Sequence, residues 1–295
     1  MTVLPREHWQ ADRERDLARI RPWVEARLQR QSRHEKHPVH DFLFEYYEFR
    51  TSHLQRWTPG FDVLLEDATH GEISWLDFVA TDSGLSLPAA AFPEHRLGYL
   101  DWAIRYLERI HAREPSFGCM GLHEWAMVYR DPSMRHPQVP LRLSRTETDA
   151  VVESQPVRCT HFDAFRFFSF AARPLNRWEL TRAGTTEHDQ PGCIHVTMDL
   201  YRFAYKIAPY CPARLMFDAF ELAIRAREVD MRASPYDLSV FGFSPVKIET
   251  AEGRALYVEL QRKLTELAQP VRRRLIDLYR GLLAARTAAS IPLTI

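Results

Sequence analysis

The stretch Pro191-Gly-Cys-Ile-His-Val-Thr-Met-Asp-Leu-Tyr-Arg-Phe-Ala-Tyr-Lys206 decides how the rest of the chain is read. Pro191 and Gly192 end whatever precedes them, and residues 193–206 contain neither glycine nor proline. Such a run predicts a helix. Residues three or four apart share a helix face, so His195, Asp199 and Arg202 fall near one line. Met198, Tyr201 and Tyr205 form a neighbouring stripe. An imidazole, a carboxylate and a guanidinium aligned on an aromatic helix make either the wall of a site or the hydrogen-bonded polar seam of a core helix.

Outward from this helix, composition narrows the class. The chain has 295 residues, 45% hydrophobic and 12% aromatic, enough to bury a substantial core. Its 39 basic and 39 acidic residues cancel, so nucleic-acid contact would have to come from a local patch. Four scattered cysteines (Cys119, Cys159, Cys193, Cys211) form no CxxC pair, which argues against a disulfide scaffold and a paired-cysteine zinc site. Met1 leads into polar sequence and no apolar run approaches membrane-spanning length. The expectation is a cytoplasmic protein without a membrane segment, its oligomeric state open.

Residues 1–36 read as an arginine-rich helical arm, with Leu17, Ile20, Trp23, Val24 and Leu28 at helical spacing and Pro22 as a break or first-turn residue. A helix is predicted from Pro38 to Arg50, with His37, Asp41, Glu45 and Glu48 on one face, a row suited to pairing with arginines or to holding a metal. At Thr58-Pro-Gly60 the period changes. Residues 61–65 and 73–79 read as strands and 85–92 as a third edge or a loop, a small β insertion near residues 60–92. Helices follow from Leu97 and Leu122, residues 131–140 with three prolines form a loop, and Ser144 with Glu147 is a capping box. Residues 157–168 are ambiguous; His161 and Asp163 share a face only if extended. The polar stretch 173–190 has no period and reads as a lid. A helix over 215–232, another capped by Thr250 and a last one starting at Pro270 complete the chain. The predicted fold is one mainly α domain, with a core over 37–268 and a C-terminal helix and tail over 269–295.

Several familiar chemistries are missing. No GxGxxG, GxxxxGK[ST], GxSxG or HExxH occurs; His123-Glu124 starts like the last, but position 127 is Met. What remains is four histidines on separate segments, His37, His123, His161 and His195, with Asp41, Glu124, Asp163 and Asp199 nearby in sequence.

His37-Pro-Val-His-Asp-Phe-Leu-Phe-Glu-Tyr-Tyr, Arg56-Trp-Thr-Pro-Gly60, Thr160-His-Phe-Asp-Ala-Phe-Arg-Phe-Phe168, Pro191-Gly-Cys-Ile-His195, Met198-Asp-Leu-Tyr201 and Asp230-Met-Arg-Ala-Ser-Pro-Tyr-Asp-Leu238 together resemble a family of bacterial proteins of about this length. That family commonly bears the name 3-methyladenine DNA glycosylase. The resemblance spans residues 37 to about 265 and implies cleavage of the N-glycosidic bond of a modified purine. It brings no residue roles with it; those are read from the side chains.

N-glycosidic cleavage, in DNA or a nucleoside, needs a carboxylate for an oxocarbenium-like centre or for activating water, and aromatic walls for the base. Asp199 is the first candidate carboxylate and Asp163 the second, with His161 and His195 as acid–base partners. Tyr201, Tyr205 and Phe162 are the stacking candidates; Arg166 or Arg202 is the candidate phosphate contact. This reading needs no cofactor. The alternative is a helical bundle holding iron, manganese or zinc on His195 and Asp199, with His161, His123 and His37 as further donors, and acting on a small molecule. A non-enzymatic small-molecule binder is the third reading. The enzymatic readings expect His161, Asp163, His195 and Asp199 to converge on one pocket.

Overall fold

The computed structural model describes residues 1–131 and 138–288. In chain order the described residues form β1 (Thr2–Leu4), α1 (Arg6–Ser32), α2 (Phe42–Tyr46), β2 (Val63–Glu66), β3 (Val79–Thr81), β4 (Gly84–Ser86), α3 (Leu97–Ala112) and α4 (Leu122–Ala126). They continue with α5 (Arg145–Glu153), α6 (Phe162–Phe165), α7 (Thr185–His188), α8 (Ile194–Lys206), α9 (Ala213–Arg232) and α10 (Ala251–Ala288). The protein is mainly helical with a small sheet. Most of the loop predicted at 131–140, and the tail beyond 288, lie outside the described residues.

The helix predicted after Pro191-Gly192 is α8, and it is the centre of the fold. Ten of its thirteen residues are buried, because it lies against both α9 and α10. A helix enclosed on nearly every side must find partners for its polar residues inside the protein, since a buried charge without one is costly. That requirement creates the site described below.

Two prolines predicted to break helices do not. Pro22 sits inside α1 and Pro270 inside α10, which runs unbroken for 38 residues. Each proline is exposed, and so are Ala18 and Glu266, whose carbonyls lose their hydrogen bonds; water can serve them. The helix predicted from Pro38 to Arg50 shrinks to α2, because Glu48 takes a left-handed φ of 54°. Its acidic row pairs with arginines: Asp41 meets Arg27 at 2.9 Å and Arg30 at 2.5 Å.

The sheet has the order β1-β2-β4-β3. β1, which the sequence patterns did not suggest, runs parallel to β2, with Val3 opposite Leu64; β2 and β4 are antiparallel, with Leu65 opposite Leu85. Residues 73–78 form no strand; Ile73, Trp75 and Phe78 are instead buried core side chains on irregular backbone. The capping box at α5 forms as expected, with the Glu147 amide donating to Ser144 Oγ and the Ser144 amide to Glu147 Oε2. Among the described residues no helix is long and apolar enough to cross a membrane.

Candidate functional site

The start of α8 is fixed by backbone contact. A Cβ on Gly192 would lie 2.6 Å from the Ser116 carbonyl oxygen, so only glycine fits there. The Gln190 side chain ties the two segments together, accepting from the Ser116 and Gly192 amides at 2.8 and 2.7 Å and donating to the Ser116 carbonyl at 3.0 Å. In the first two turns of the helix, His195 and Asp199 are buried, to 7% and 2% exposure.

Asp199 accepts from the Tyr47 hydroxyl at 2.8 Å and pairs with Arg202 at 2.7 Å, one helical turn on. Its Oδ2 lies 4.0 Å from His161 Nε2. His161 precedes α6 on extended backbone and meets Asp189 Oδ1 through Nδ1 at 3.0 Å. Tyr106 donates to the other oxygen of Asp189 at 2.5 Å. Burial disfavours the imidazolium of His161, but the Asp189 carboxylate, backed by Asp199, outweighs it and raises the pKa above the usual histidine value.

A second ionic group meets the first at His195. Its ring is stacked on His161 at 5.3 Å and set edge-on to His123 at 4.7 Å. His123 Nε2 meets Asp230 Oδ1 at 2.7 Å, and Arg227 Nη1 bridges Asp230 Oδ2 at 2.6 Å and Glu124 Oε1 at 2.8 Å. Cys119 Sγ is 3.3 Å from His123 Nδ1. Burial opposes protonation of His123, yet the Asp230 carboxylate holds its pKa well above the ordinary value. Burial, and then the neighbouring His123, push His195 well below it. Burial also raises the Glu124 carboxyl, with Asp230 adding to the effect and Arg227 opposing it.

Of these groups Glu124, His195 and Arg227 border a cavity of about 310 Å³ between α2, α4, α6, α8 and α9. Phe42, Tyr46, Phe167 and Met127 supply apolar wall, and Glu124, Asp163, His195 and Arg227 supply polar lining. Phe42 and Tyr46 stack at 4.9 Å, and the Arg227 guanidinium lies 3.9 Å from the Phe42 ring centre. The arrangement offers flat apolar surfaces beside a buried acid, a neutral imidazole and a carboxylate.

His161, His195 and Asp199 converge, and Asp163 joins them through Arg202 at 3.4 Å. Other expectations need correcting. Asp199 is not among the residues lining the cavity; it is enclosed by Tyr47, Arg202 and His161. Tyr201 and Tyr205 do not line the cavity: Tyr201 packs on Phe220, and Tyr205 stacks on Phe49 at 3.7 Å and bonds His53 at 2.7 Å. Phe162 lines adjoining grooves rather than this cavity. Arg166 and Arg202 are engaged by Asp163 at 3.0 and 3.4 Å. His37 stacks on His40 at 4.3 Å beside Phe241 and Phe243, in a separate cluster. Among the described residues the donors grouped closely enough for a metal are His123, His195 and Asp230, without His161 or Asp199.

Sequence patterns did not single out Arg227, Asp230 or Asp189 as site residues. Arg227 and Asp230 stand three apart on α9, the spacing that pairs charges along one helix face. Asp189 lies on an aperiodic stretch and leaves no such pattern, yet its exposure is zero. No protein-family model, no curated protein and no solved structure matches the chain.

Proposed function

We propose that the protein binds a modified purine, in a nucleoside or in DNA, in the aromatic-walled cavity and hydrolyses its N-glycosidic bond. The observation that carries this reading is the placement of two unlike carboxyl groups, Glu124 and Asp163, on the lining of one cavity beside stacked Phe42 and Tyr46. A base held against these rings and Phe167 presents its ring nitrogens to the polar lining. Glu124, whose carboxyl burial keeps protonated to higher pH, is the acid: it donates a proton to a nitrogen of the departing base. The C1′–N bond then breaks, its electron pair leaves with the base, and Asp163 faces the cationic sugar. Water adds at C1′, and neutral His195 or Asp163 takes its proton. Free base and sugar hydroxyl are the products.

The four cysteines are free thiols, which suits a reducing cytoplasm as the place of action. The test is chromatographic detection of free base released from alkylated DNA and from methylated nucleosides. Release by the wild type is expected. No release, under conditions where a known glycosylase acts on the same substrates, overturns the proposal; saturable binding without release would leave a binding protein.

A further inference from the structure

Beside the cavity lies a group of side chains that the hydrolytic steps above do not use fully. His123 on α4, His195 on α8 and Asp230 on α9 are 2%, 7% and 0% exposed, and one donor atom from each lies within 4.8 Å of the other two. Three elements far apart in sequence thus bring two imidazole nitrogens and one carboxylate oxygen to a single buried point. We infer that His123, His195 and Asp230 form a binding site for one transition-metal dication, with its remaining coordination positions directed to the cavity.

The residues around the three ligands are arranged as metal sites require. Ligating histidines and carboxylates are normally held by a second layer of hydrogen bonds. Here Cys119 Sγ stands 3.3 Å from Nδ1 of His123, turning Nε2 inward. Arg227 holds Oδ2 of Asp230 at 2.6 Å and leaves Oδ1 aimed at His123. Arg227 also donates to Glu124 at 2.8 Å, which fixes the guanidinium in place. His195 lines the cavity, which is how solvent and a ligand reach the ion.

Distance and donor type identify the ion class. Metal–nitrogen and metal–oxygen bonds of about 2.0–2.2 Å place neighbouring ligand atoms roughly 3 Å apart. The His123–Asp230 separation of 2.7 Å is within a small side-chain rotation of that value. Two nitrogens and one oxygen suit zinc, iron, manganese or cobalt, whereas magnesium and calcium favour all-oxygen cages. Three protein ligands leave positions open, as in catalytic rather than structural sites. The ion replaces the direct His123–Asp230 hydrogen bond.

The experiment uses the full chain, stripped with a chelator and titrated with Co²⁺, read by visible absorption and by calorimetry. One equivalent should bind and give the d–d bands of a four- or five-coordinate ion. His195→Gln, which breaks no ion pair among the described residues, should weaken binding at least tenfold, and Asp230→Asn should do the same if it folds. Absence of binding to the wild type overturns the inference. So does unchanged affinity in His195→Gln, which would mean an adventitious surface site. His195 is common to both readings, and with the ion bound Asp163 is the base that remains. The outcomes still separate them, since base release by stripped protein that binds no Co²⁺ defeats only the metal site, and Co²⁺ binding without base release defeats only the hydrolysis.

Discussion

His161 and His195 lie face to face, with ring centroids 5.3 Å apart and planes within 13°, yet their surroundings favour opposite protonation states. His161 sits between Asp189 and Asp199, which favour the imidazolium. His195 has burial and two neighbouring imidazoles against its charge. Two parallel rings this close cannot both be cationic at low cost. The pair therefore joins two ionic groups, Asp189–His161–Asp199–Arg202 and His123–Asp230–Arg227–Glu124, through one neutral ring.

Asp199→Asn is expected to be a stability variant. It keeps the acceptor for Tyr47 but removes the charge opposite Arg202 and His161. Breaking a buried pair costs about 3–5 kcal/mol. The low end applies, because the Arg202 side chain is 25% exposed and retains Asp163. The melting temperature should fall while turnover per folded molecule holds. A stable variant with turnover reduced a hundredfold would place Asp199 in the chemistry instead.

Glu124→Gln is the converse case. The amide fits the same space but cannot supply a carboxyl proton, and Arg227 keeps Asp230 as its partner. Turnover should drop on the order of a hundredfold, the scale of a lost acid–base group, with the melting temperature little changed. Paired kinetic and calorimetric measurements on one preparation decide it; full activity would remove Glu124 from the proposed mechanism.

Arg272 gives a prediction of the opposite sign. It is fully buried on α10, and none of its three guanidinium nitrogens has a hydrogen-bond partner among the described residues. Burial lowers its pKa to about 10, still well above neutral, so it stays charged. An apolar side chain of similar length removes that cost, and Arg272→Met should raise stability by about 1 kcal/mol or more. A lower melting temperature would show that Arg272 is satisfied by an anion or ordered water.

His37 sets a pH limit. Burial, and then the neighbouring His40 and Arg30, bring its pKa down to about 4, with Asp41 partly opposing. The unfolded chain titrates near 6.5, so between the two values it binds the proton that the folded chain refuses. Stability from this group is present above pH 6.5 and is lost as pH falls towards 4. His37→Asn keeps an acceptor for the Val39 and His40 amides that Nδ1 now serves. Thermal melts of that variant should show a smaller drop between pH 7 and 4.5; an unchanged drop would assign the loss elsewhere.

Local rules carried the elements whose causes are local. The Ser144–Glu147 cap, the unbroken helix after Gly192 and the shared face of His195, Asp199 and Arg202 depend on residues within one or two turns of each other, so spacing alone determined them. The mainly α class with a small β insertion followed from the same periodicities. What spacing could not reach was decided by packing. Whether Pro22 and Pro270 break a helix depends on whether the freed carbonyl meets water, and that is a property of the folded surface. Which histidines meet depends on how α4, α6 and α8 cross. His123, His161 and His195 come together, while His37 remains with His40. Asp189 and Asp230 became site residues only because tertiary structure enclosed them, and a buried carboxylate must take the nearest cation or hydrogen-bond donor. The sequence thus determined which side chains each helix carries, and the three-dimensional packing decided which of them share a cavity.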